Sequence, residues 1–101
     1  MSAEKANKIV LVVDDEEVLA KVLCQVLAFA GYEIIFAQNG EEALVKIAQT
    51  QPDAIVLDIV MPKIDGWEVC RRIKSDPKTA QIPVVLYSRS EEHTSELQSQ
   101  R

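Results

Sequence analysis

Three aspartates stand where hydrophobic segments run out, and together they have the makings of a hard-cation site. Asp14 and Asp15 follow Ile9-Val10-Leu11-Val12-Val13, and Asp58 follows Ala54-Ile55-Val56-Leu57. Short apolar runs rich in Val and Ile read as strands buried on both faces. In open α/β sheets, ligands gather beyond the carboxyl ends of such strands. If the two strands are parallel neighbours, three carboxylates meet at one rim. Two carboxylates about 5 Å apart repel by roughly 3 kcal/mol at an effective dielectric of about 20. A divalent cation offsets that repulsion, and Mg²⁺ typically takes one or two carboxylates plus waters and phosphate oxygens. The same cation neutralises charge on a phosphoryl group in flight. A carboxylate beside it can be the nucleophile and become an acyl phosphate. Ser88, after the apolar run Val84-Val85-Leu86-Tyr87, belongs to the same predicted rim and is placed to hydrogen-bond a phosphoryl oxygen.

Each residue also has a plain structural reading. Asp15 and Asp65 read as helix caps, and Ser88 as a polar strand end. Asp58 is harder to dismiss, because an acid directly after a buried strand needs a partner. Asp14 and Asp15 supply one through a metal.

The elements that must position these groups alternate between two periods. Strands are expected at Ile9 to Val13, Glu33 to Ala37, Ala54 to Leu57 and Val84 to Tyr87. A first helix, from about Glu16 to Ala30, carries an apolar stripe of Val18, Leu19, Val22, Leu23, Val26 and Leu27. Gly31 stands where a left-handed cap is expected. Asn39 with Glu42, and Asp65 with Glu68, have capping-box spacing at the starts of a second and a third helix. Ala43, Leu44 and Ile47 form the buried face of the second helix, and Pro52 lies beyond its end. The third runs from about Gly66 to Ser75, where Asp76-Pro77 stops it. β-α-β-α-β-α-β with short connections predicts a parallel sheet, right-handed crossovers and helices on both faces.

The bulk properties agree with one such domain. The chain has 101 residues, 48% of them apolar, and a formal net charge of -5. That balance argues against a sequence-independent nucleic-acid surface. No apolar run reaches membrane-spanning length, and Met1 to Lys8 has no signal-peptide core. Cys24 and Cys70 lack paired spacing and read as reduced, partly buried thiols of a cytoplasmic protein.

The segments Val12-Val13-Asp14-Asp15-Glu16, Leu57-Asp58-Ile59-Val60-Met61-Pro62 and Ile64-Asp65-Gly66 resemble the receiver domain of bacterial two-component response regulators. The resemblance runs over about residues 8 to 88. It implies a flavodoxin-like, doubly wound parallel sheet of order 2-1-3-4-5. It implies that Asp58 accepts a phosphoryl group from a histidine kinase or phosphotransfer protein. By the same resemblance, Asp14, Asp15, Asp58 and the backbone carbonyl of Val60 hold Mg²⁺, and Ser88 is the hydroxyl switch residue. Pro62 and Gly66 shape the adjoining loop. Such a domain is a phosphoacceptor in signalling, not a turnover enzyme. Its output domain or target and its cognate kinase are not written in this segment, and neither membrane binding nor direct nucleic-acid binding is expected of it.

Past Ser88 the chain departs from the family pattern. A fourth helix, a fifth strand and a fifth helix are expected there, with a Lys and an aromatic switch residue on the strand. No Lys follows Lys78 and no aromatic follows Tyr87. Arg89 to Ser99 instead resembles the in-frame translation of a short-read sequencing adapter. The expectation is therefore a truncated receiver over residues 1–88 and a polar, non-native, disordered tail over 89–101, in which His93 is neither ligand nor catalyst. Four strands and three helices would leave the last strand as an open edge. They would also leave part of the first helix's stripe facing water, giving marginal stability and weak phosphorylation. Two other functions compete. A phosphorylation-independent interaction module would be expected to lack some of the acids, yet all three are present. An aspartate-nucleophile phosphatase needs a second acid two residues after the nucleophile, where this chain has Val60.

Overall fold

A computed structural model describes residues 8–61 and 63–88. Pro62 and the segment 89–101, including His93, lie outside the described residues. Strands β1 (Ile9–Val13), β2 (Glu33–Ala37), β3 (Ala54–Asp58) and β4 (Val84–Tyr87) alternate with helices α1 (Glu17–Phe29), α2 (Gly40–Thr50) and α3 (Gly66–Ser75). All strand pairs are parallel, in the order β2-β1-β3-β4. The chain moves from β1 outward to β2, then crosses back over β1 to reach β3 and β4. With right-handed crossovers, that reversal puts α1 on one face and α2 and α3 on the other. The described residues thus form the flavodoxin-like, doubly wound sheet expected from the sequence.

Period-two alternation divides the strand residues between the faces. Leu11, Val13, Ala37, Ile55 and Leu57 join Ala43 and Ile47 of α2 and Val69 and Ile73 of α3 in one buried cluster. Each fully buried aliphatic side chain there contributes about 1.5–3 kcal/mol. The opposite face carries Val10, Val12, Phe36, Val56, Val85 and Tyr87, and α1 covers it only in part.

Local chemistry ends and starts the helices. At the end of α1, Gly31 has φ 105°, its N–H donates to Ala28 O (3.0 Å), and Tyr32 N–H donates to Leu27 O (3.1 Å). This is the paired closure of a Schellman motif, which calls for positive φ at Gly31. Asn39 caps α2 by accepting from Glu42 N–H (2.8 Å), and Asp65 caps α3 by accepting from Glu68 N–H (3.0 Å). Both match the sequence reading, but the return bonds differ. Glu42 accepts from Gln38 N–H (3.1 Å), one residue before the cap, and Glu68 turns to Arg71 and Arg72. An ionised guanidinium is a stronger partner for a carboxylate than a neutral amide.

Part of the apolar stripe of α1 was expected to face water, and the structure shows which part. Val18, Val22 and Val26 are 70%, 51% and 60% exposed. The sheet-facing side of α1 is instead built from Ala20, which is buried, with Leu19, Leu23, Cys24 and Leu27 half-buried. The six-residue stripe is wider than the face the sheet covers, so its valine edge points outward. Both cysteines are half-buried and unbridged, and burial pushes the Cys24 thiol up, away from thiolate chemistry. Among the described residues no helix is long and apolar enough to cross a membrane.

These exposures separate two substitutions. Leu11→Ala should cost about 2–5 kcal/mol in urea unfolding, whereas Val22→Lys should stay within about 0.5 kcal/mol of the parent. A Val22→Lys cost equal to that of Leu11→Ala would mean the valine edge is covered in solution.

Candidate phosphoryl and cation site

The site stands at the switch point between β1 and β3. Val13 pairs with Leu57 and Asp58 pairs with Tyr87. One residue past Val13, Asp14 therefore falls level with Asp58, and alternation turns both away from the α2 and α3 core. Asp14, Asp15 and Asp58 each offer a carboxylate oxygen, and these oxygens lie within 4.8 Å of one another. Asp14 and Asp58 are both 0% exposed, while Asp15 is exposed. The three acids singled out in the sequence thus converge.

The two buried acids are held in the same local way. Asp14 Oδ1 accepts from Glu16 N–H (2.8 Å), and Asp58 Oδ1 accepts from Val60 N–H (3.2 Å). Each carboxylate catches the amide two residues on, the turn that short acidic side chains favour after a strand. A buried carboxylate without such donors would be costly. The N-cap of α1 is Glu16, whose side chain makes no cap bond, so Asp14 closes that turn.

The loop after Asp58 is drawn tightly against it. Ile59 N–H donates to Tyr87 O (2.9 Å), and Gly66 N–H donates back to Ile59 O (2.9 Å). A Cβ on Gly66 would stand 2.4 Å from Asp58 O and 2.7 Å from Ile59 Cα. Only glycine allows α3 to begin so close behind the acid. Val60 is 60% exposed in this loop, and Lys63 takes a left-handed conformation at φ 66°. Lys63, Asp15, Glu17, Phe36, Gln38 and Asn39 line a cavity of about 230 Å³ beside the acids. At its margin, the Gln38 N–H bond first and Lys46 second hold the Glu42 carboxyl below the usual carboxylate range. That contribution is complete above the ordinary range and fades as pH falls through the lowered value.

Ser88 is exposed and joins Leu19, Leu23, Val56, Val85 and Tyr87 around an apolar groove of about 440 Å³ on the α1 face. Tyr87 was read from sequence only as a strand residue. Its hydroxyl donates to Asp14 Oδ2. The signal for it lay in the register, since the residue opposite Asp58 on β4 shares the acids' level and face.

A family model described as the response regulator receiver domain matches residues 10–99. The alkaline phosphatase synthesis transcriptional regulatory protein PhoP of Bacillus subtilis is 42% identical over 86 residues, covering 85% of this chain and 35% of that protein. The response regulator MprA of Mycolicibacterium vanbaalenii is 50% identical over 66 residues, covering 65% of this chain and 29% of that protein. The chain thus spans about a third of the length of these relatives. Among solved structures, the response regulator protein TrrA of Thermotoga maritima, in complex with Mg²⁺-BeF, matches with TM-score 0.77 and 40% identity, covering 89% of this chain and 76% of that one. The N-terminal domain of a response regulator receiver protein from Methanoculleus marisnigri matches with TM-score 0.76 and 44% identity, covering 78% and 64%.

The close approach at Gly66 gives a direct test of how the site is held. Gly66→Ala should lower stability by about 1–3 kcal/mol through overpacking, read as a lower urea midpoint. An unchanged midpoint would mean that the backbone behind Asp58 yields freely.

Proposed function

The chain belongs to the response regulator receiver domain family, and on that premise we propose that it accepts a phosphoryl group on Asp58 from a histidine kinase or a histidine phosphotransfer protein. The observation that carries this reading is the convergence of three carboxylates within 4.8 Å at the switch point of a parallel sheet. Hard oxygen donors at that spacing fit Mg²⁺. Asp14, Asp15, Asp58 and the carbonyl of Val60 would hold the ion, and the Mg²⁺-BeF complex of the Thermotoga relative supports that choice. When bound, Mg²⁺ neutralises negative charge on the transferring group.

The remaining chemistry belongs to the chain itself. A carboxylate oxygen of Asp58 forms a bond to phosphorus while the donor's P–N bond breaks. The electron pair of the broken bond returns to the donor imidazole, and an acyl phosphate remains. The Glu16 and Val60 amides hold Asp14 and Asp58 in place, so little reorganisation accompanies the transfer. Ser88 donates to a phosphoryl oxygen once that group is present. Val60 at the second position after Asp58 has no acid or base to activate a water, which favours a signalling acceptor over a phosphatase. What the modification controls belongs to the parts of the relatives that this chain does not span.

Incubation with phosphoramidate and Mg²⁺, followed by intact-mass analysis, tests the reading. A weak single phosphoryl adduct is expected, lost in Asp58→Asn and on chelation of the metal. An adduct that persists in Asp58→Asn would move the nucleophile elsewhere.

A further inference from the structure

We propose that Tyr87 is a tethered gate over Asp58 that sets how readily a phosphoryl donor reaches the acceptor. The inference deepens the reading of Asp58 as acceptor and rests on it. Its starting point is a conflict within the site: Asp58 is 0% exposed, yet an acceptor must meet a phosphorus atom carried by another molecule.

The sheet geometry points to what encloses it. β3 lies between β1 and β4, and Asp58 is the register partner of Tyr87. The hydroxyl of Tyr87 nevertheless donates to Asp14, beyond the end of β1. Two strand spacings, about 9.5 Å, separate those strands. To make that bond, Tyr87 must pass over the end of β3 on the face that Asp58 shares. Tyr87 forms part of the wall of the apolar groove with Leu19, Leu23, Val56 and Val85, and its hydroxyl is tied to Asp14. An aromatic body in an apolar groove with its polar end on a buried carboxylate is a well-determined position. It is also a releasable one, because a rotation about the side-chain bonds breaks the bond to Asp14 and leaves the strand pairing intact.

The tether acts on a charged acceptor, so its loss should raise the open population roughly tenfold or more. Tyr87→Phe removes the tether and keeps the ring; Tyr87→Ala removes the gate. Two readouts apply to the full chain. The first is the phosphoramidate labelling rate of Asp58 in the parent and in both variants, with unfolding midpoints measured alongside. The second uses Asp58→Cys, with and without Tyr87→Phe or Tyr87→Ala, and follows alkylation at position 58 by iodoacetamide through peptide mass analysis. Cys24 and Cys70 serve as internal references.

Faster labelling and faster alkylation in both Tyr87 variants, with unchanged reactivity at Cys24 and Cys70, are expected. Equal alkylation rates at position 58 with and without Tyr87→Ala would overturn the gate, as would slower labelling in Tyr87→Phe. If alkylation accelerates while no protein accepts phosphorus, the acceptor reading of Asp58 falls and the steric role of Tyr87 stands apart from it.

Discussion

Parallel pairing of β1 with β3, in the register that sets Val13 against Leu57, decides what happens one residue further on. It brings Asp14 level with Asp58 and leaves both acids on the same face. A shift of one residue in either strand would send one carboxylate into the apolar core beside Leu57 and Ile73. The register is held by the core itself, since the same alternation that buries Leu11, Val13, Ile55 and Leu57 against α2 and α3 turns the acids the other way. Packing on one face thus creates the charge problem on the other. The backbone meets part of that problem with amides of Glu16 and Val60, each two residues past the acid it serves.

The two faces of the sheet are unequal, and the site lies on the weaker one. The α2 and α3 face is closed by interlocking aliphatic side chains, and its helices start at side-chain caps on Asn39 and Asp65. The α1 face has one buried helical residue, Ala20, with a valine edge turned to solvent and an open groove over Val56 and Val85. A tightly packed start of α3 and an incompletely covered α1 face suit a site that must fix an acid yet admit a partner. Local stability in such a domain follows the density of buried apolar contacts.

Much of this was legible in the sequence. The four strands match the alternating and continuous apolar runs, with β3 reaching one residue further, to Asp58. Gly31, Asn39 and Asp65 end or start helices as their types require. What was not legible depended on neighbours distant in sequence. The stripe of α1 showed which residues are apolar and that part of it would face water, but not that the exposed part would be Val18, Val22 and Val26. Gln51 and Lys63 adopt positive φ without the glycine or asparagine that would announce it. Tyr87 was an ordinary strand residue until the register put it across from Asp58.

The three acids differ in how they are held, and that difference bears on their roles. Asp15 is exposed and sits on the turn toward α1. Asp14 is buried at the end of an inner strand, with one oxygen on a backbone amide and the other on Tyr87. Asp58 occupies the middle of the level, flanked by Asp14 on one side and Tyr87 on the other, with Gly66 pressed against its carbonyl. Gly66 leaves little room behind its backbone. A nucleophile gains most from such placement, because a fixed carboxylate has little orientation to lose on attack. A metal ligand can tolerate more freedom, since Mg²⁺ fills its remaining positions with water. That asymmetry is compatible with the proposed roles of Asp58 as acceptor and of Asp14 and Asp15 as its supports. Enclosure is the cost of that rigidity, and it makes the side chain lying across Asp58 as consequential as the carboxylates themselves.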